Sequence, residues 1–133
     1  MANPENLRKL EEGVEAWNKW REENPDIKPD LEGAYLEKVN LMSANLKRAN
    51  LRSANLEKAN LIEAKLIAAD LTEANLKEAA LIKETDLTRA YFTGQMLTGI
   101  NFRTIELDET NFSYIDLTEA CFNGCHHNIN IRD

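Results

Sequence analysis

The sequence predicts an all-β solenoid closed at its start by an α-helical cap. Leucine recurs every five residues, at Leu31, Leu36, Leu41, Leu46, Leu51, Leu56, Leu61, Leu66, Leu71, Leu76 and Leu81. One residue is then inserted, and the period resumes at Leu87, Phe92, Leu97, Phe102, Leu107, Phe112, Leu117 and Phe122, for nineteen repeats in all. Ahead of the repeats, residues 4–23 carry apolar side chains at helical spacing.

A period of five suits neither ordinary element. On an α-helix, five residues advance by about 500°, which scatters the leucines around the cylinder. On a flat strand an odd period sends successive leucines to opposite faces. If every leucine is buried, each five-residue unit must itself turn the chain. Alanine two residues before most centres, from Ala34 to Ala79, fits a narrow interior beside each leucine. The Asn or Asp between them, as in Asn45, Asn50 and Asp70, suits corners, since these residues tolerate left-handed backbone and bond the nearby chain.

The motif Ala44-Asn45-Leu46-Lys47-Arg48, repeated as Ala49-Asn50-Leu51-Arg52-Ser53, resembles the pentapeptide-repeat family. The resemblance covers residues 31–122 and implies a right-handed quadrilateral β-helix with four repeats per coil, hence nearly five coils. At the spacing of paired strands the rod would be about 20–25 Å long. Its expected core is Leu36, Leu41, Leu46, Leu51, Leu56, Leu61, Leu66, Leu71, Leu76, Leu81, Leu87, Phe92, Phe102, Phe112 and Phe122.

A solenoid exposes its core at both ends and needs caps. Residues 1–24 read as a capping helix: Asn3 suits the N-cap, Pro4 the first helical position and Glu5 the positive end of the helix dipole. Leu7, Leu10, Val14 and Trp17 share one face with Trp20 at its edge, the pattern of a lid over the first coil. Residues 25–30 form a linker in which Pro25 and Pro29 stop the helix. The extra residue falls within 82–86, where a small bulge at a corner is expected, and residues 123–133 form a C-terminal tail.

The composition narrows function mostly by exclusion. The net charge of −7 is uneven: −3 over residues 1–30, zero over 31–81 and −4 over 82–122. No basic stripe favours direct nucleic-acid binding, and no apolar run is long enough for a membrane span. The start, Met1-Ala2-Asn3-Pro4-Glu5, lacks the marks of a signal peptide, so a cytoplasmic location is expected. There is no phosphate loop, no nucleophile–base pairing and no cofactor motif, so the chain is expected not to be an enzyme and to carry no cofactor. Cys121, Cys125, His126 and His127 offer metal-ligand types, but adjacent histidines rarely serve one ion, and no metal site is assigned. A Cys121–Cys125 disulfide is disfavoured in a reducing compartment.

What remains is a surface. One residue after each centre, successive coils align Met42, Ile62 and Ile82, with Ile67 on the adjoining wall between Lys47 and Thr88. Charged or hydroxyl side chains would be ordinary there. The ladder reads either as branched side chains stacking on a sheet or as a patch for a protein partner, with the chain a monomer or weak homodimer. The chain thus reads as a protein-interaction scaffold with an unidentified partner. The family resemblance adds a regulatory cyanobacterial relative and an alternative, the DNA-mimicking proteins that protect topoisomerases. Against that alternative, Lys47, Arg48, Arg52, Lys58, Lys65 and Lys77 interrupt any acidic surface.

Overall fold

The computed structural model describes residues 1–81, 85–92 and 109–111. The N-terminal segment forms two helices, α1 (Pro4–Glu11) and α2 (Val14–Glu23), in place of the single capping helix expected from the sequence. The break is at Gly13, whose φ of 106° lies outside the helical range and is open to glycine alone at little cost. The start of α1 follows its sequence signals. Asn3 Oδ1 accepts the Glu5 and Asn6 amides at 2.9 and 3.3 Å, and Pro4 opens the helix.

Beyond residue 30 the chain stacks on itself at intervals of 20 residues. Parallel bridges join Asp30 to Asn50, Tyr35 to Asn55, Asn40 to Asn60 and Asn45 to Lys65, and the pattern repeats one level on. One column runs Asp30, Asn50, Asp70, Tyr91, Asn111, linking five levels. Among the described residues these contacts are isolated bridges and not continuous strands. The reason is the five-residue unit itself, which leaves one bridged residue between successive turns.

Four backbone hydrogen bonds define a unit. Leu46 N–H donates to Lys65 O at 2.8 Å, Lys65 N–H donates back to Ala44 O at 3.0 Å, and Arg48 N–H donates to Ile67 O at 2.8 Å. Within the unit, Ala49 N–H donates to Leu46 O at 3.0 Å and closes a four-residue turn. The third residue of such turns is left-handed, as a type II turn demands: Lys38 (φ 61°), Ser53 (56°), Lys58 (59°), Ala68 (56°) and Arg89 (58°), with Gly33 (68°) in the first. The corner is therefore made by the second residue after each leucine and not by Asn or Asp, which corrects the sequence expectation. The Asn and Asp side chains brace it instead. Asn50 Oδ1 accepts from Arg52 N–H at 3.1 Å, Asn55 Oδ1 from Glu57 N–H at 3.0 Å and Asp70 Oδ1 from Thr72 N–H at 3.0 Å.

Left-handed backbone costs an L-residue about 1–2 kcal/mol, while glycine costs about 0.5–1 kcal/mol in chain entropy. Exposed Ala68 has no side-chain interaction to lose at its corner, so Ala68→Gly is expected to stabilise the protein by about 0.5 kcal/mol. Equilibrium urea unfolding checks this; a lower midpoint for the variant would contradict it.

The interior is a stack of leucines with facing alanines. Leu31, Leu36, Leu41, Leu46, Leu51, Leu56, Leu61, Leu66, Leu71, Leu76, Leu81, Leu87 and Phe92 are buried, as are the inward alanines two residues before a centre from Ala34 to Ala74, while Ala79 is partly buried. Phe102, Phe112 and Phe122 lie outside the described residues. Between Ala80 and Asp86 the register lengthens by one: Asn60 bridges Ala80, but Lys65 bridges Asp86 and Asp70 bridges Tyr91. The 20-residue interval returns between Tyr91 and Asn111. Thr85 fills the alanine position after this insertion, fully buried, with its hydroxyl donating to Leu61 O at 2.7 Å. Thr110 does the same one level and one unit on, donating to Leu87 O at 2.6 Å. A threonine at the inner position is thus tolerated because a core carbonyl accepts its hydroxyl.

The cap packs through Leu10 and Trp17, which are buried, and through Leu7, Val14 and Trp20, which are partly so. The Trp17 and Trp20 rings lie 5.2 Å apart, tilted by 41°.

Candidate protein-binding surface

The first coil has no coil above it, so the backbone groups that elsewhere reach the previous level need other partners. At Asp30, α1 supplies them: Asn3 N–H donates to Asp30 O at 2.9 Å, and Asn6 Oδ1 accepts Asp30 N–H at 2.8 Å. On the side of Ser43, Asn45 and Lys47, α2 supplies them. Trp17 Nε1 donates to Asn45 O at 2.8 Å, Asn18 Oδ1 accepts Asn45 N–H at 2.7 Å, and Asn18 Nδ2 donates to Ser43 O at 3.0 Å. Arg21 bridges Ile27 O at 2.6 Å and Lys47 O at 2.7 Å. The cap, mostly through its side chains, therefore supplies the hydrogen bonds of a missing coil at these positions.

Arg21 is a capping residue that the sequence reading missed. It stands seven residues after Val14 and four after Trp17, on the same helical stripe, which is the one signal that could have marked it. Burial lowers its guanidinium pKa from the ordinary value, and the neighbouring charge of Arg48 lowers it further. Its Nε has no partner among the described residues.

Below this edge the candidate surface is built from stacked columns. Met42 and Ile62 stand one above the other, with Ser43 N–H donating to Ile62 O at 2.9 Å. Next along the chain comes the bridged column Asn45, Lys65, Asp86, and then the column Lys47, Ile67, Thr88. Met42 is 42% exposed, and Ile62 and Ile67 are partly exposed. Ile82 lies outside the described residues, as do Cys121, Cys125, His126 and His127. The structure thus brings Met42 and Ile62 into one column and sets Ile67 one unit further on.

Met42, Ile62 and Ile67 belong to turns and not to strand segments. A preference of branched side chains for strands is a weaker reason for them there, although Ile62 O and Ile67 O each accept from the level above. Their surroundings are polar. Ser43 Oγ donates to Glu63 at 3.2 Å, and Lys47, Arg48 and Lys65 are exposed. On another corner the Tyr35 hydroxyl donates to the Glu37 carboxylate, an exposed bond that raises the tyrosine pKa and lowers that of the acid. Among the described residues no helix is long and apolar enough to cross a membrane, and no cluster of His, Cys, Asp and Glu could hold a metal ion.

A stacked five-residue unit under a helical cap defines a repeat protein, and comparison with known proteins identifies which kind. The family model described as pentapeptide repeats, in 8 copies, matches residues 28–57, 49–83 and 85–124. The chain belongs to the pentapeptide-repeat family. Proteins of this family form right-handed quadrilateral β-helices and are generally scaffolds, not enzymes.

A search of curated proteins found no match. Among solved structures the chain is similar to HetL, a pentapeptide repeat protein involved in heterocyst differentiation regulation in the cyanobacterium Nostoc, with 29% identity and a TM-score of 0.52. That match covers 75% of this chain, which spans only 56% of HetL. It is also similar to a pentapeptide repeat protein of the Arabidopsis thaliana thylakoid lumen, with 28% identity, a TM-score of 0.54, and coverage of 78% of this chain and 69% of that one.

Proposed function

We propose that this protein is a non-enzymatic interaction scaffold that docks a partner protein on the columns of Met42, Ile62 and Ile67, together with Ile82, which the sequence spacing aligns with Met42 and Ile62. The observation that carries the reading is a stacked, partly exposed apolar column in turns, with charged side chains around it. The cap strengthens it. Because α2 already satisfies Ser43 O, Asn45 and Lys47 O, a partner on this side meets side chains and not an open backbone edge. In this reading the rod is a right-handed quadrilateral β-helix of nearly five coils and acts in the cytoplasm as a monomer or weak homodimer. A regulatory role is part of the proposal, supported by the similarity to HetL. A DNA-mimicking role is less well supported, since Lys47, Arg48 and Lys65 stand exposed on the same side.

The test is capture of partners from native lysate by the wild-type chain and by Ile62→Asp/Ile67→Asp. The double variant is expected to lose the partner while keeping the wild-type circular dichroism, whereas Lys77→Glu, on the neighbouring column and outside the proposed surface, retains it. Equal capture by the double variant would show that the surface is not the docking site.

A further inference from the structure

We infer that the docking surface recognises an acidic segment of the partner, one with apolar side chains flanked by carboxylates. This rests on the reading above that Met42, Ile62 and Ile67 contact a partner, and it names the chemistry of that partner. The chain carries a net charge of −7, and many of its exposed cations sit beside a carboxylate of their own. Lys9 pairs with Glu12 at 2.9 Å, Arg52 with Asp70 at 3.4 Å, Lys58 with Glu78 at 3.5 Å and Arg89 with Glu109 at 2.6 Å. Among the described residues, Lys47, Arg48 and Lys65 form no such pair.

These three cations frame the apolar residues. Lys65 is bridged to Asn45 one level above, and Lys47 and Arg48 stand one level above Ile67, whose carbonyl accepts the Arg48 amide at 2.8 Å. Arg48 and Lys28 line a shallow depression of about 310 Å³ with Ala49, Asn50 and Ala68. Asp70, at the rim of that depression, is engaged by Arg52 and by the Thr72 hydroxyl. Among the described residues, counter-charges on the docking side include Glu63, which accepts from Ser43, and Asp86, one level below Lys65, whose Oδ1 accepts Thr88 N–H at 3.0 Å. Among the described residues Arg8, Lys19, Lys28 and Lys77 are exposed without an ion pair as well; what sets Lys47, Arg48 and Lys65 apart is that they stand together beside the apolar residues, on the first two levels.

An acidic protein repels an acidic partner at long range, so a local group of free cations is what would steer and orient such a segment. The apolar centre sets this apart from a phosphate-binding stripe. Three or four cations on a chain of net charge −7 are also few for a nucleic acid.

The test uses the full chain and a fluorescent peptide of alternating Glu and Leu at low ionic strength, beside a Lys–Leu peptide and a duplex DNA oligonucleotide. The Glu–Leu peptide is expected to bind, more weakly as salt is added, and at least about tenfold more weakly to Lys47→Glu/Lys65→Glu. Both lysines are exposed, so the variant should melt as the wild type does; if it does not, Lys47→Gln/Lys65→Gln replaces it and the same loss is expected. Failure of the Glu–Leu peptide to bind, equal binding of the Lys–Leu peptide, an undiminished affinity in the variant, or tighter binding of the DNA would each overturn the inference. Lysate capture separates the two claims. If Ile62→Asp/Ile67→Asp loses the native partner while Lys47→Glu/Lys65→Glu keeps it, the surface stands and its acidic ligand falls. If the isoleucine variant keeps the partner, the surface itself falls.

Discussion

Leu56→Asp is expected to abolish the cooperative melting transition and most of the ordered circular dichroism signal. Leu56 is fully buried in the second coil, with Leu36 twenty residues before it and Leu76 twenty after it, both buried. Removing a large apolar side chain from such a site forfeits about 1.5–3 kcal/mol, and a carboxylate left there without a partner adds several kcal/mol more. The sum is comparable to the roughly 5–15 kcal/mol that holds a typical domain together. In a solenoid each coil contacts only its neighbours, so a failed middle coil also uncouples the coils on either side. Leu56→Met, close in volume, should cost less than about 1.5 kcal/mol. An aspartate variant that melts like the wild type would mean that position 56 is not in the core.

The second large effect is expected at the cap. Trp17 is fully buried, and its indole N–H holds Asn45 O at 2.8 Å. Trp17→Ala should cost about 3–5 kcal/mol, the ordinary result of deleting a buried aromatic side chain. Trp17→Phe keeps most of the burial and leaves the carbonyl without its donor, for a loss of about 1–2 kcal/mol. Thermal or urea unfolding measures both losses. Amide exchange adds a local readout, because Asn45 N–H is held by Asn18 of the same helix and should exchange faster when α2 loosens. Unchanged stability in Trp17→Ala would show that the rod does not depend on its lid.

The parts of this structure that were legible in the sequence are those that repeat. A leucine at every fifth position marks the buried centres without reference to any partner, and Asn3-Pro4-Glu5 marks a helix start through purely local chemistry. The left-handed corners were not legible, because Lys58, Ser53 and Ala68 carry no sign of a positive φ in their side chains. Their conformation is imposed by the hydrogen bonds of adjacent coils. Gly13 was ambiguous for a related reason: one glycine in a helical pattern is tolerated as often as it breaks the helix. Arg21 and Thr85 were hidden because their roles depend on carbonyls far along the chain, at Lys47 and Leu61.

The candidate surface was half legible. Alignment by twenty placed Met42 above Ile62, but sequence alone left sheet stacking as the stronger explanation. The turn position of these residues weakens that explanation. The lack of ion pairs at Lys47, Arg48 and Lys65 required the fold, since the carboxylates that neutralise other cations come from positions 18 and 20 residues away, as with Asp70 for Arg52 and Glu78 for Lys58.

Every column described here depends on the register of the stacked coils, and disulfide trapping across the insertion tests that register most directly. Cα atoms on neighbouring levels lie about 4.8 Å apart, within the range that a disulfide spans. With Cys121 and Cys125 replaced by serine, the pair Lys65→Cys/Asp86→Cys should cross-link readily under mild oxidation. The pair Lys65→Cys/Thr85→Cys should not, since the side chain at 85 points into the core. Preferential cross-linking of 65 to 85 would contradict the 21-residue step, and with it the columns on which the docking surface is drawn.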